Sequence, residues 1–178
     1  MPTGEYCRRY IDVKVKTGQI DLSTSDDYYW SVKTLSHTDN PIGHIPLIDL
    51  TRHDVEQWEL SMLDSGLSPV TVAKRHRVLN QCLRHASAER DIPRNPMEGM
   101  RQPKIPKKPK NALDSYQRSR LVEILNQMEP TGLKAAIALA LYGGLREAEA
   151  CSLRWKNADL RTGQLTVCEA IGRTRGGT

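Results

Sequence analysis

The sequence predicts a mainly α-helical protein in two units, the second turning to mixed α and β structure near its end. Three observations predict it. From Thr24 to Leu153, apolar residues recur at spacings of three and four behind good helix-capping residues. A stretch rich in proline and lysine, PKIPKKPK at 103–110, interrupts them. After Asn157 the pattern shortens to extended segments around a turn.

The elements follow in chain order. Thr24, Ser25 and Asp26 offer caps for a helix from about 27 to 35, with Tyr28, Val32 and Leu35 on one face. Asn40-Pro41-Ile42-Gly43 is a turn. Thr51 with Asp54 three residues on opens a second helix, with Val55, Trp58 and Met62 inward and Gly66 as its stop. Ser68-Pro69 combines an N-cap with proline at the first helical position. The helix behind it runs to about Arg90 and carries an apolar stripe of Val72, Leu79, Cys82, Leu83 and Ala86. Lys74, Arg77, Gln81, Arg84 and His85 share another face.

Asn95-Pro96 closes this unit. Asp114 and Gln117 form a capping box for a helix with Leu121, Val122, Leu125 and Met128 inward. The next helix ends in the most apolar run of the chain, Ala135 to Tyr142, and Tyr142 is expected in the core. Gly143-Gly144 breaks it, and a helix from about Leu145 to Leu153 follows. Residues 157–160 are short and extended, 161–164 a turn, and 165–168 β-prone. Gly172 to Gly177 reads as another turn, so a sheet is begun whose open edge lies at 165–171.

Bulk properties narrow the function classes. The chain has 178 residues, 38% hydrophobic and 26% charged, with a net charge of +5. No apolar run approaches the ~18 residues that span a bilayer, and MPTGEYCRRY lacks the apolar core of a secretory signal. Cys7, Cys82, Cys151 and Cys168 lie far apart without metal-ligand spacing, and the five histidines show none either. The expectation is a reduced, cytoplasmic protein without metal or other cofactor and without a membrane partner.

Charge is unevenly placed. Residues 74–110 hold eleven basic residues against three acidic ones, a net +8; the remainder, with fifteen basic and eighteen acidic, is −3. That asymmetry points to a polyanion partner, and a linker this basic between two globular units can hold a duplex as they close around it. The candidate DNA-binding residues are Lys74, Arg75, Arg77 and Arg84 of the basic helix with Lys104, Lys107, Lys108 and Lys110 of the linker. A solvated basic face is the bland alternative for the helix alone; the continuation of the excess into 103–110 weakens it.

Just beyond the Gly-Gly break, Arg146 stands beside Glu147 and Glu149. The guanidinium fork suits a phosphodiester because it donates two parallel hydrogen bonds and stays charged. Glu149, three residues on, shares its helical face and can fix its rotamer, whereas Glu147 points elsewhere. From spacing alone, a structural ion pair and an anion site are equally good readings.

The longer string YGGLREAEACSLRWKNADL, residues 142–160, resembles the segment around the first catalytic arginine of the tyrosine recombinases, the phage integrase family. It has Gly-Leu-Arg, an acid three residues later, Leu-x-Trp and a short strand ending in Asp. LSPVTVAKRHRVLNQCLRHASAERDIPRNP, residues 67–96, is similar to the last helices of that family's core-binding domain. The resemblance extends over nearly the whole chain. It implies a SAM-like helical core-binding domain over 1–102, a basic linker over 103–111, and a truncated α+β catalytic domain over 112–178, closing as a C-shaped clamp on DNA. It assigns Arg146 to the scissile phosphate and Glu149 to its support. The implied chemistry is tyrosine attack through a 3′-phosphotyrosyl intermediate, without metal or nucleotide cofactor.

The sequence departs from the family after that point. No lysine follows Gln164, no histidine follows His85 and no tyrosine follows Tyr142. The family's catalytic Lys, His-x-x-Arg and nucleophilic Tyr have no counterparts here, and neither Arg173 nor Arg175 substitutes for them. The chain is therefore expected to bind DNA without cutting it, as a monomer, with assembly on DNA left to a full-length protein. A non-catalytic regulator of recombination shares this chemistry. A helix-turn-helix transcription factor reading DNA with residues 69–90 ranks lower, because it needs neither the linker nor the Arg146 cluster.

Overall fold

A computed structural model describes residues 1–106 and 112–171, and they form two compact units that part between those ranges. The first unit is helical: α1 (Thr3–Lys16), α2 (Leu22–Lys33), α3 (Arg52–Asp64) and α4 (Pro69–Ala88). The second holds α5 (Ser115–Gln127), α6 (Gly132–Gly143), α7 (Glu147–Ser152), a 3-10 turn at Trp155–Asn157, and strands β1 (Ala158–Asp159) and β2 (Gln164–Leu165). The expected mainly helical character holds. The expected linker residues Lys107, Lys108 and Lys110 lie outside the described residues, as does the turn expected at 172–177.

Helix α1 has no sequence-local cap. Pro2 precedes it in extended conformation, and the orphan N–H groups of its first turn are met from a distant loop. Thr3 N donates to Ile45 O at 2.9 Å and Gly4 N to Gly43 O at 2.9 Å, while Leu47 N donates back to Met1 O at 3.0 Å. The approach is close: a Cβ on Gly4 would meet Gly43 O at 3.3 Å and Gly43 Cα at 3.4 Å. Tyr6, Cys7 and Ile11 then face inward.

Helix α2 begins five residues earlier than the 27–35 expectation. Its cap is Asp21, whose carboxylate accepts from Thr24 N at 2.7 Å and from the Ser23 hydroxyl at 2.9 Å; Thr24, Ser25 and Asp26 lie inside the helix. The bond from the Thr24 backbone N–H first, then those from the Thr24 and Ser23 side chains, hold the Asp21 carboxyl below its usual range. Val32 and Leu35 are buried as expected, with Tyr28 packed on the core's edge.

Helices α3 and α4 start where their caps predict. Thr51 and Asp54 exchange the reciprocal bonds of a capping box, and Ser68 Oγ accepts from Thr71 N. Val55, Trp58 and Met62 meet Val72, Leu79, Cys82, Leu83 and Ala86 in one cluster. The Trp58 indole N–H donates to Thr34 O at 3.3 Å, so the largest core side chain has its one polar atom satisfied. Glu59 and His76, both buried, join α3 to α4 at 2.6 Å. Helix α4 ends two residues before the expected Arg90, which sits past its end in the left-handed region at φ 64°.

In the second unit Asp114 and Gln117 form the expected box. Leu125 is buried, while Leu121, Val122 and Met128 are half-buried. Helix α6, GLKAAIALALYG, has no buried residue, and Tyr142, expected in the core, is 69% exposed. The Gly-Gly break resolves at Gly144, which closes α6 in the left-handed conformation at φ 67°. Strands β1 and β2 pair antiparallel, Ala158 opposite Leu165 and Asp159 opposite Gln164. The pairing ends there: Thr166 N still reaches Asn157 O, but Ile171 N donates to Ala148 O, so the chain folds back towards α7 instead of extending a strand to 168.

Candidate nucleic-acid interface

The basic helix sorts its cations by position. Arg77 and Arg84 are exposed on α4, and with Asn80, Gln81, His85 and Tyr10 of α1 they line one open surface depression. Among the described residues neither arginine is in an ion pair; the Arg77 Nε donates only to Ala73 O, at 3.3 Å. Tyr10 packs against the His85 ring with centroids 4.6 Å apart, and Lys14 Nζ lies 5.1 Å from the Tyr10 ring centre. Tyr10, Lys14 and Asn80 were not among the sequence candidates; only the contact of α1 with α4 brings the first two to this face.

Two expected contacts are placed differently. Lys74 Nζ is 2.7 Å from Asp27 Oδ2, so its charge is already countered by α2. Arg75 does not stand on the exposed face: it is only 9% exposed and turns inward, its Nη1 on Met62 Sδ at 3.2 Å. The helical spacing explains this. Arg75 lies three residues after Val72, four before Leu79 and seven before Cys82, in the middle of the apolar stripe. Lys104 is exposed.

In the second unit Arg146 is not inside a helix, as expected, but is the residue preceding α7, with extended backbone at φ −72°, ψ 157°. Glu149 reaches back to it twice. One carboxylate oxygen accepts the Arg146 backbone N–H at 2.8 Å, and the other accepts Nη1 at 2.9 Å. This is the acidic half of a capping box; an arginine side chain has no acceptor with which to return the other half. The backbone bond first, then the guanidinium, holds the Glu149 carboxyl below its usual range. The Arg146 side chain is 85% exposed and that of Glu149 22%. One carboxylate therefore holds Arg146 at its backbone N–H and at Nη1, while the rest of the largely exposed guanidinium faces solvent.

Nearby, Arg154 and Glu169 pair at 3.4 Å, and the Ser152 hydroxyl donates to Glu169 O. Among the described residues no cluster of three metal-ligating side chains occurs, and no helix is long and apolar enough to cross a membrane. All four cysteines are free; Cys7 and Cys82 are fully buried between α1 and α4, while Cys151 and Cys168 are exposed.

Residues 111–177 match the phage integrase family. The tyrosine recombinase XerC of Xanthomonas campestris pv. campestris (strain B100) is 28% identical over 159 residues, which cover 88% of this chain and 49% of that protein. XerC of Alcanivorax borkumensis is 34% identical over 137 residues, covering 75% of this chain and 45% of that one. The chain spans about half the length of the curated relatives it matches. The Tn1549 transposon integrase, solved in complex with circular intermediate DNA, superposes with a TM-score of 0.84 at 22% identity, over 99% of this chain and 57% of that one. At that identity the match speaks for the fold.

Proposed function

This chain is a relative of the tyrosine recombinases of the phage integrase family, and on that premise we propose that it holds double-stranded DNA for site-specific recombination. The first unit lays the Arg77–Gln81–Arg84 face of α4 on the phosphate backbone, with Lys104 and the linker lysines Lys107, Lys108 and Lys110 adding contacts. In the second unit Arg146 receives the scissile phosphate and Glu149 orients it. Two parallel N–H bonds from a fixed fork fit a phosphodiester oxygen pair, and they fit better as charge builds on it in the transition state.

The observation that carries the reading is the Arg146 guanidinium, 85% exposed yet fixed through Glu149. A purely structural ion pair gains little at such exposure. Within these 178 residues no tyrosine follows Tyr142, and the role proposed for this stretch is to hold the duplex. Fluorescence-anisotropy titration with a duplex of ~30 base pairs at several salt concentrations tests the reading. The affinity is expected to fall steeply with salt, with a slope corresponding to several phosphates. No binding at low salt would overturn it.

A further inference from the structure

On the first unit, away from the Arg77–Arg84 face, lies a cavity of about 260 Å³ between the end of α2, the loop after it, α3 and the start of α4. Its floor includes Arg75 and Met62. Arg75 is nine-tenths buried, and its recorded polar partner is a thioether sulfur, a weak acceptor. Among the described residues no carboxylate stands within ion-pair distance of it. A guanidinium in that position ordinarily has an anion beside it, since burying an uncompensated charge is costly.

Thr38 also lines this cavity. The Thr38 hydroxyl is the one buried side-chain oxygen or nitrogen among the described residues with no hydrogen-bond partner. Lys33 and His37 stand at the rim, and Trp30 and Leu67 supply apolar wall. Asp39 also lines the cavity but is exposed and makes no ion pair with Arg75. Unmet donors at the floor, the Lys33 ammonium at the mouth and a mostly apolar wall define one ligand chemistry.

We propose that this cavity is a binding site for a monoanionic carboxylate carried on a small apolar body, held by the Arg75 fork and the Thr38 hydroxyl. The volume admits a group about the size of a benzoate or of the last residue of a peptide. A planar carboxylate matches a single guanidinium in bidentate geometry. Two residues further along α4, Arg77 points to the other side of the helix, so the site is separate from the proposed DNA face. The carboxylate can come from a free organic acid or from the C-terminus of another chain.

The test is isothermal titration of the whole 178-residue chain with benzoate and with benzamide, then with acetyl-Gly-Gly-Leu bearing a free or an amidated C-terminus. The acid of each pair is expected to bind at least about tenfold more tightly than its amide. Preference for benzoate identifies a free acid, and preference for the tripeptide acid a chain terminus; either supports the site. Arg75→Lys is expected to lose about tenfold because an ammonium cannot fork. Thr38→Val should lose about threefold with an unchanged circular dichroism spectrum and melting temperature, which covers the case in which Arg75→Lys fails to fold. Equal affinity for acid and amide, no heat up to about 10 mM, or full binding by a folded Thr38→Val or Arg75→Lys protein would overturn the proposal. Displacement of benzoate by duplex DNA would also overturn it, since the anion would then be a nucleic-acid phosphate.

Discussion

Removing Arg77 and Arg84 together should change the salt dependence of DNA binding by a calculable amount. Both guanidinium groups are exposed on one face of α4 and, among the described residues, neither is in an ion pair, so each is available for one phosphate. Losing two contacts flattens the slope of log affinity against log salt by ~1.8. Across the fourfold rise from 50 to 200 mM salt, that is ~1.1 logarithmic units, or about twelvefold less sensitivity in the Arg77→Ala/Arg84→Ala protein. Lys74→Ala is the internal control: its ammonium already faces Asp27 at 2.7 Å, so the slope should change by less than one contact. Asp27→Asn should steepen it. Anisotropy titrations at four salt concentrations measure all four proteins. An unchanged slope in the double variant, or a Lys74→Ala effect equal to it, would refute the assignment of this face.

Other expectations concern single residues. Arg146→Ala should leave the melting temperature within a degree or two, since the side chain is largely in solvent, and should cost DNA affinity no more than one phosphate contact; unfolding would return the pair to a structural role. Glu149 is held below the ordinary value of 4.5, chiefly by the Arg146 backbone N–H. Its folded value is the lower one, so its support is complete above that ordinary value and fades as pH falls through the depressed value. The Arg146 amide resonance should therefore hold still from pH 8 to 5 and move only in more acid solution. Trp58→Ala removes the largest side chain of the first core and should cost about 3–5 kcal/mol in urea unfolding. Arg90→Gly relieves a left-handed residue after α4 and should stabilise by about 0.5–1 kcal/mol, read as a shift of the urea midpoint.

What was legible in the sequence was what neighbours along the chain decide. Thr51 with Asp54, Ser68 with Thr71 and Asp114 with Gln117 complete their bonds within one turn, so α3, α4 and α5 begin where their residues say. The apolar stripe of α4 is likewise a matter of spacing. Helix α1 was not legible, because carbonyls some forty residues away cap it and its inward residues are few. Three candidate caps at 24–26 hid the true one at Asp21, which only the observed bond to Thr24 N distinguishes. Arg75 was misread through its charge; its place among Val72, Leu79 and Cys82 carried the opposite signal. The Arg146–Glu149 partnership was found for an incomplete reason: the spacing was right, but the contact comes from a helix start and not from a shared helical face. Tyr142 was expected inside because its helix is apolar, yet burial depends on what packs against a helix, and composition does not show that.

The bonds that tie Met1, Thr3 and Gly4 to residues 43–47 set an order of events during synthesis. On the ribosome the residues of α1 emerge first, but the partners that close its first turn arrive only when Leu47 has left the exit tunnel. Its inward face then waits longer, for Cys82 and Leu83 of α4. Its far end, closed locally by Thr17, Gly18 and Gln19, can settle well before its first turn, and slow translation between codons 17 and 47 would lengthen that interval. Fusions joined directly to Met1 load the same stitch, because the Met1 carbonyl is one of its acceptors.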